Sequence, residues 1–583
     1  NYSLAEESAL KLLHANSSEP RFVSFAGQVY LAMENWQKAE RCYRRAHELV
    51  PDHLPFLITL AEILCRLRGR TDEAMSCAEK VLATQPTDAR VLMSMGSVFS
   101  QTEHYERAYR LFLDGLKLEP DNADLCYMAA TNARFLGRLQ EAEAHADRCV
   151  TLDPNNFEGL FLRSDVRKQT LENNHIQQLE ARIAAGIEGR QNQFHHHFTL
   201  AKEYEDLEEY QKSFAALQTG AVIRRSGMAY KVEHDVEVME ALKDTFSPAF
   251  FSQEHPPGSD KTGPIFIMGM PRTGTTLLER VIASQGEVTA AGELNELSLM
   301  ISHIVKGLAG DSKLNKLDLV QGSSQLDFFK LGETYLHATK KYARGKPFWI
   351  DKMPINFLYC GLIYLAMPHA KMINLVRHPM DTCYSNFKML FNAGAPYSYS
   401  LEDLGHYYVA YYHLMQHWHN ALPQQIYQVQ YEALTEDLET TAKQTLDFCG
   451  LSWSDSVLEF HKNSAASRFA VGDVGSEVNI VVESRQVNTS SPLTGGGSLS
   501  SQNGSTGAGA AASQPTQPGN SGSYGFGTSG GDGSIGGGGA GGGAGQGGFP
   551  SQPGPSPAGG GTGKAYTIAD GTTSVYYSGG GAG

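Results

Sequence analysis

The sequence has no apolar run that approaches the ~20 residues needed to span a bilayer, so no membrane-spanning helix is expected. Positive charge is also in short supply. There are 48 Lys and Arg against 63 Asp and Glu, a formal net charge of −15. That balance excludes a general nucleic-acid binder, which needs a basic face to displace counterions. It leaves room for a small basic pocket holding one anionic ligand. Cysteine is scarce: eight residues, none in a CxxC or other metal-ligand spacing. They read as small buried apolar residues of a reducing compartment, and Cys42 and Cys77 fall at equivalent points of a repeat. No signal-like segment stands out, so a cytoplasmic location is expected. After residue 486 charge nearly vanishes, with only Asp532, Lys564 and Asp570 in a stretch of Gly, Ser, Ala, Pro and Thr. Residues 486–583 cannot bury enough apolar surface to offset chain entropy, and a disordered tail is expected there.

What the chain does have is length, 583 residues, and an internal period. One hydrophobic core does not serve so long a chain, so several domains are expected. Pro51, Pro86, Pro120 and Pro154 are spaced by 35, 34 and 34 residues, each followed by a polar pair. Ala39, Ala74, Ala108 and Ala142 run in register with the same spacings. Proline ends one helix, and the small Ala lets two antiparallel helices approach. A period near ~34 residues with these features is the tetratricopeptide pattern. Leu200 to Phe214, with Ser213 at the small position, reads as one more divergent unit. The expected product is an all-α solenoid over residues 1–225 with a concave face suited to a peptide or protein partner. The alternative is an array that only extends the core.

After a connecting helix and linker over 226–260, the pattern changes to alternating strand and helix. Gly263 to Gly269, Pro347 to Asp351, Met372 to Val376 and Ile426 to Tyr431 read as buried strands. Thr275 to Ser284, Met380 to Phe391, Leu401 to Ala421 and Thr435 to Cys449 read as helices. Such alternation implies a parallel sheet of doubly wound type.

The sharpest motif is Gly269-Met-Pro-Arg-Thr-Gly274-Thr275-Thr276, which follows a predicted strand and opens a predicted helix. Backbone N–H groups and the positive end of the helix dipole form an anion cradle there. Its spacing equals that of the nucleotide loop G-x-x-x-x-G-K-[ST], but Thr275 takes the lysine position. An NTPase needs that lysine on the β- and γ-phosphates, so ordinary ATP or GTP hydrolysis is disfavoured. Further on, Ile373-Asn-Leu-Val-Arg377 delivers an arginine to a strand end, and Ser385 follows eight residues later on the next helix.

The stretch Pro271 to Glu279 closely resembles the 5′-phosphosulfate loop of the sulfotransferase superfamily, nearest to tyrosylprotein sulfotransferases and to bacterial proteins that join tetratricopeptide repeats to that domain. The resemblance implies an N-terminal tetratricopeptide solenoid followed by a P-loop-like α/β sulfotransferase domain over 261–470, with 3′-phosphoadenosine 5′-phosphosulfate (PAPS) as co-substrate and no metal. It implies that Arg272, Thr273, Gly274, Thr275 and Thr276 hold the 5′ end, and that Arg377 and Ser385 hold the 3′-phosphate. Tyr431 would approach the adenosine. It implies a carboxylate base at Glu293, with Glu296 as fallback, and Lys352 and Arg272 against the transferring sulfonate. The acceptor would be a hydroxyl: a protein tyrosine presented by the repeats, or a small-molecule or glycan hydroxyl. A non-catalytic scaffold is the competing reading.

The resemblance covers roughly residues 20–467. Related chains continue into a basic segment that closes over the 3′-phosphate. Here the chain runs from Arg468 into low complexity, with Arg485 and Gln486 as an echo, so the domain is expected to be truncated at that end. His195, His196 and His197 point ~100° apart on a helix and cannot share one metal. His413 and His417 have i, i+4 spacing without a third ligand.

Overall fold

The computed structural model describes residues 2–67, 70–309, 314–391, 394–460, 564–568 and 573–577. The expected disorder of the tail and the altered segment from Arg468 to Gln486 fall largely outside these residues. Within the tail, Lys564–Ile568 and Thr573–Tyr577 pair as an antiparallel hairpin.

The first half is an array of antiparallel helix pairs. The periodic features take up places their chemistry explains. Each proline lies just past a helix, as Pro120 follows Tyr105–Leu118 and Pro154 follows Leu139–Leu152. After Pro86, Pro120 and Pro154 the polar residue two places on then caps the next helix, whereas His53 after Pro51 makes no side-chain cap. Asp88 accepts from the Arg90 N–H, Asn122 from Leu125 N–H and Asn156 from Gly159 N–H. Such caps satisfy amides that have no partner within the helix. Ala39, Ala74, Ala108 and Ala142 are fully buried where paired helices touch. Packing is so close that a Cβ on Gly96 would lie 2.5 Å from the Phe112 ring. The divergent unit is the pair Arg190–Asp206 and Tyr210–Arg225, and Ser213 at its small position is buried, its hydroxyl donating to the Ala201 carbonyl at 2.7 Å.

The array is fused to the second half of the chain rather than tethered to it. One apolar cluster runs from Leu160 and Phe198 through Leu242 and Phe246 into Phe387, Tyr399 and Trp418. Arg225 pairs with Asp403 at 2.9 Å and Lys388 with Glu205 at 2.7 Å across the junction. The connecting segment contributes the helix Val232–Thr245, which packs on Leu401–Ala421.

The second half holds five parallel strands: β1 Pro264–Met268, β2 Val288–Ala290, β3 Phe348–Lys352, β4 Lys371–Val376 and β5 Ile426–Gln430. Their order is β2-β3-β1-β4-β5. β1 is central, paired with β3 on one side and β4 on the other. The turn after β1 therefore sits between the carboxyl ends of β3 and β4, where open α/β sheets bind ligands.

Several sequence-based boundaries differ from the fold. The helix expected over Met380–Phe391 spans Pro379–Phe387: Pro379 is pre-set for the first helical turn, and the helix closes at Lys388, whose N–H donates to the Tyr384 carbonyl. The strand expected to reach Tyr431 ends at Gln430, and Tyr431 opens a helix, Tyr431–Glu436. The helix expected from Thr435 starts at Leu438, since the Asp437 carboxylate accepts from the Thr440 N–H at 3.0 Å and caps a new helix, Leu438–Cys449. β2 and the helices Glu296–Ala309, Lys316–Ser323 and Phe328–Thr339 have no counterpart among the elements expected from the sequence pattern.

Candidate active site

The turn after β1 is built by backbone that most residues avoid. Gly269 has φ 150° and Gly274 has φ 100°; a Cβ on Gly269 would meet the Leu375 carbonyl at 2.4 Å, and one on Gly274 the Tyr431 ring at 2.5 Å. Arg272 holds φ 67°, a left-handed conformation that costs a non-glycine residue ~1–3 kcal/mol and clusters at functional sites. Two side chains fix this shape. Thr273 is buried and its hydroxyl donates to the Met270 carbonyl at 2.8 Å. Asn386 donates its amide to the Pro271 carbonyl at 2.7 Å and the Thr382 carbonyl at 2.8 Å. The helix Thr275–Ala283 then begins with no side-chain cap, so no side chain satisfies its first amides. Gly274→Ala is expected to lower stability by about 1–3 kcal/mol in denaturant melts, since it combines the φ penalty with the Tyr431 clash.

A cavity of about 220 Å³ opens over this turn. Pro271, Arg272, Gly274, Thr275 and Thr276 form one wall. Arg377 and Ser385 form another, with Glu293, Pro354 and Tyr431 completing it. The turn and the distant arginine thus share one cavity. Thr273 does not line it; its side chain is spent inside the loop. Glu296 does not line it either, and accepts from the Tyr342 hydroxyl at 3.0 Å.

Arg377 reaches the cavity from the end of β4. Its guanidinium lies 4.8 Å from the Tyr431 ring centroid, a cation–π arrangement. Its contact with Asp381 is loose, 3.8 Å, and its Nε is buried with no hydrogen-bond partner. The Glu432 carboxylate accepts from the His378 N–H at 2.9 Å and steadies the turn that carries Arg377. Desolvation in the cleft, with a smaller repulsion from Arg377, lowers the pKa of Arg272. Two like charges facing one space call for an anion between them.

Lys352, at the end of β3 and 5% exposed, does not itself line the cavity but donates to Glu293 Oε1, which does, at 2.6 Å. The loop bearing Glu293 is laced to β3 by Ala291 N–H to the Ile350 carbonyl and Lys352 N–H to the Gly292 carbonyl. A third member was not anticipated. Glu279, on the inner face of the helix Thr275–Ala283 and 2% exposed, accepts from the Gly292 N–H at 3.2 Å. Burial pushes its pKa up to about 7, against the pull of Lys352. A carboxyl raised in the fold binds more protons there than in the unfolded chain, so stability falls as pH rises from about 4.5 to about 7. Glu279→Gln is expected to flatten that part of the thermal-melt profile; an unchanged slope would remove Glu279 as its source.

The histidines lie elsewhere. His195 packs between Phe157 and Phe194, and a ring nitrogen of His417 meets the Phe246 carbonyl at 2.9 Å. Among the described residues no group of three or more His, Cys, Asp or Glu could hold a metal ion, and no helix is long and apolar enough to cross a membrane.

The parallel sheet thus carries a lysine-free loop at the end of β1, an arginine at the end of β4 and a carboxylate around one cavity. Residues 264–455 match the sulfotransferase family model, and residues 30–97 and 123–156 match tetratricopeptide repeat models. The chain therefore carries a sulfotransferase-family domain behind a tetratricopeptide array.

Among curated proteins it is similar to an Aquifex aeolicus protein described as an uncharacterized protein, 29% identical over 332 residues, 56% of this chain and 43% of that one. Human RANBP2-like and GRIP domain-containing protein 8 is 26% identical over 157 residues, 26% of this chain and 9% of that one. The chain thus spans less than half the length of these relatives. Among solved structures, YrrB, a TPR protein with an unusual peptide-binding site, aligns over 36% of this chain and 98% of its own at 14% identity and TM-score 0.26. PilW, a type IV pilus biogenesis factor, aligns over 36% and 90% at 18% identity and TM-score 0.28.

Proposed function

We propose that this domain moves a sulfuryl group from PAPS to a hydroxyl acceptor, with a protein tyrosine as the acceptor the sequence resemblance favours. The observation that carries the reading is the single cavity lined by the turn after β1, by Arg377 with Ser385, and by Glu293. The loop amides with Thr275 and Thr276 would hold the 5′-phosphosulfate. Arg377 and Ser385 would hold the 3′-phosphate, an anion that ATP lacks. A guanidinium on phosphate is a strong, directional contact, and the unpartnered Nε of Arg377 is available for it. Tyr431, stacked on Arg377, would face the adenosine.

In the transfer step Glu293 takes the acceptor proton while the acceptor oxygen bonds to sulfur. The bond from sulfur to the bridging oxygen breaks, and adenosine 3′,5′-bisphosphate leaves with that electron pair. Lys352 and Arg272 offset the charge on the sulfonate and bridging oxygens as it shifts. The Lys352 ammonium, 2.6 Å from Glu293 Oε1, also orients that carboxylate in the cavity.

Incubation with ³⁵S-labelled PAPS and a panel of phenolic, aliphatic, glycan and tyrosine-peptide acceptors tests the reading. Label should move to at least one class, with bisphosphate released in equal amount. Tight bisphosphate binding without transfer to any acceptor would instead indicate an inert domain serving as a scaffold.

A further inference from the structure

A larger cavity, about 790 Å³, lies between the repeat array and the sulfotransferase domain. It adjoins the first one: Arg272 and Thr276 line both. Its far wall belongs to repeat helices. Phe157 and Phe161 come from the helix Phe157–Asp165, and Phe194 and His195 from Arg190–Asp206. The His195 ring lies 4.2 Å from that of Phe157 and 4.7 Å from that of Phe194. Burial, helped by the charge of Arg224, pushes its pKa down to about 3, so it is a neutral ring at neutral pH. The near wall is the helix that follows the anion loop, through Leu277 and Arg280.

The cationic groups here are not equivalent. Arg134 is paired with Asp165. Arg224 lies over the rings of Phe194 and Tyr399. Arg280 has neither an ion pair nor an overlying ring among the described residues, and its Nη2 is buried with no hydrogen-bond partner. An unmet buried donor costs ~1–3 kcal/mol, a cost that an anion at this point would remove. The aromatic wall in turn favours a ring, since ring edges and faces pair beyond simple area burial. The volume suits one compact ligand or one side chain with its neighbours.

We propose that this cavity is the acceptor site, and that the acceptor carries its hydroxyl on a ring and bears an anionic group, the ring against Phe157 and Phe161 and the anion on Arg280. This rests on the sulfuryl-transfer reading above. The hydroxyl enters past Thr276 towards Glu293, so the repeats are a wall of the active site and not a remote recruiting arm. Arg280 anchors the acceptor without touching the donor cavity.

The probe is 3-(4-hydroxyphenyl)propionate, measured by equilibrium dialysis against the full chain with and without saturating adenosine 3′,5′-bisphosphate. Saturable binding to the bisphosphate-loaded protein is expected. Arg280→Gln and Phe161→Ser should each weaken it about 10-fold. Bisphosphate affinity should be unchanged in both variants, which also shows that they are folded. The neutral amide of the same phenol should bind wild type as weakly as the acid binds Arg280→Gln. A tyrosine peptide with an adjacent carboxylate, run in parallel, distinguishes a peptide-borne ring from a free one. The assignment is overturned if neither probe binds saturably to bisphosphate-loaded protein, or if binding ignores both substitutions. If the bisphosphate itself does not bind wild type, the donor reading falls, and the phenol arm without nucleotide still decides the cavity.

Discussion

Arg377→Ala is expected to weaken adenosine 3′,5′-bisphosphate binding about 100-fold, while leaving adenosine 5′-phosphosulfate, which has no 3′-phosphate, nearly unaffected. The size follows from two hydrogen bonds to a charged group at ~1.5–3 kcal/mol each, partly offset by water. The selectivity follows from position. Arg377 stands at the end of β4, across the cavity from the Thr275 and Thr276 amides, so its loss strips one end of the nucleotide and spares the other. Its environment makes the loss specific. The Asp381 contact at 3.8 Å is too long to hold the guanidinium by itself, and the Tyr431 ring beneath it orients a charge without neutralising it. An equal loss for both nucleotides would mean that Arg377 supports the fold of the cavity rather than the 3′-phosphate.

Glu293→Gln should leave bisphosphate affinity close to wild type and reduce turnover about 100- to 10,000-fold, the range that general-base catalysis supplies. Glutamine is the informative replacement. Its amide oxygen can still accept from Lys352, so the 2.6 Å contact survives while the base does not. Alanine would leave the Lys352 ammonium buried and unpaired, a change that costs ~3–5 kcal/mol and confounds chemistry with folding. Single-turnover transfer from preloaded PAPS, measured beside the bisphosphate Kd, separates the two effects. Wild-type turnover in Glu293→Gln would move the base elsewhere, with Glu279 a second carboxylate that feels the charge of Lys352.

Much of this was legible in the chain because local rules governed it. The 34-residue period places a proline, a cap and a small alanine at fixed offsets, and each does its work within one helix pair. The anion loop and the Arg377–Ser385 pair are contiguous motifs pinned to strand ends. What escaped notice depends on contacts between distant segments. Glu279 reads as an ordinary polar position in a helix, and only the fold of the Glu293 loop onto β3 buries it beneath Gly292. Asn386 gives no sign of reaching back to Pro271. Thr273 shares the loop motif, yet its hydroxyl turns inward to hold the turn. β2, at three residues, is too short for alternation to register. Phe157 and Phe161 look like the core of a repeat helix until the second domain closes the space before them.

Calorimetric titration of the full chain with adenosine 3′,5′-bisphosphate, the 5′-monophosphate, the 3′-monophosphate and ATP tests most directly whether both anion sites grip one molecule. The bisphosphate should bind best, with removal of either phosphate costing about 10-fold or more and ATP no better than the 5′-monophosphate. Equal affinity for the bisphosphate and ATP would contradict the account, because the loop and Arg377 would then not be holding opposite ends of a single donor.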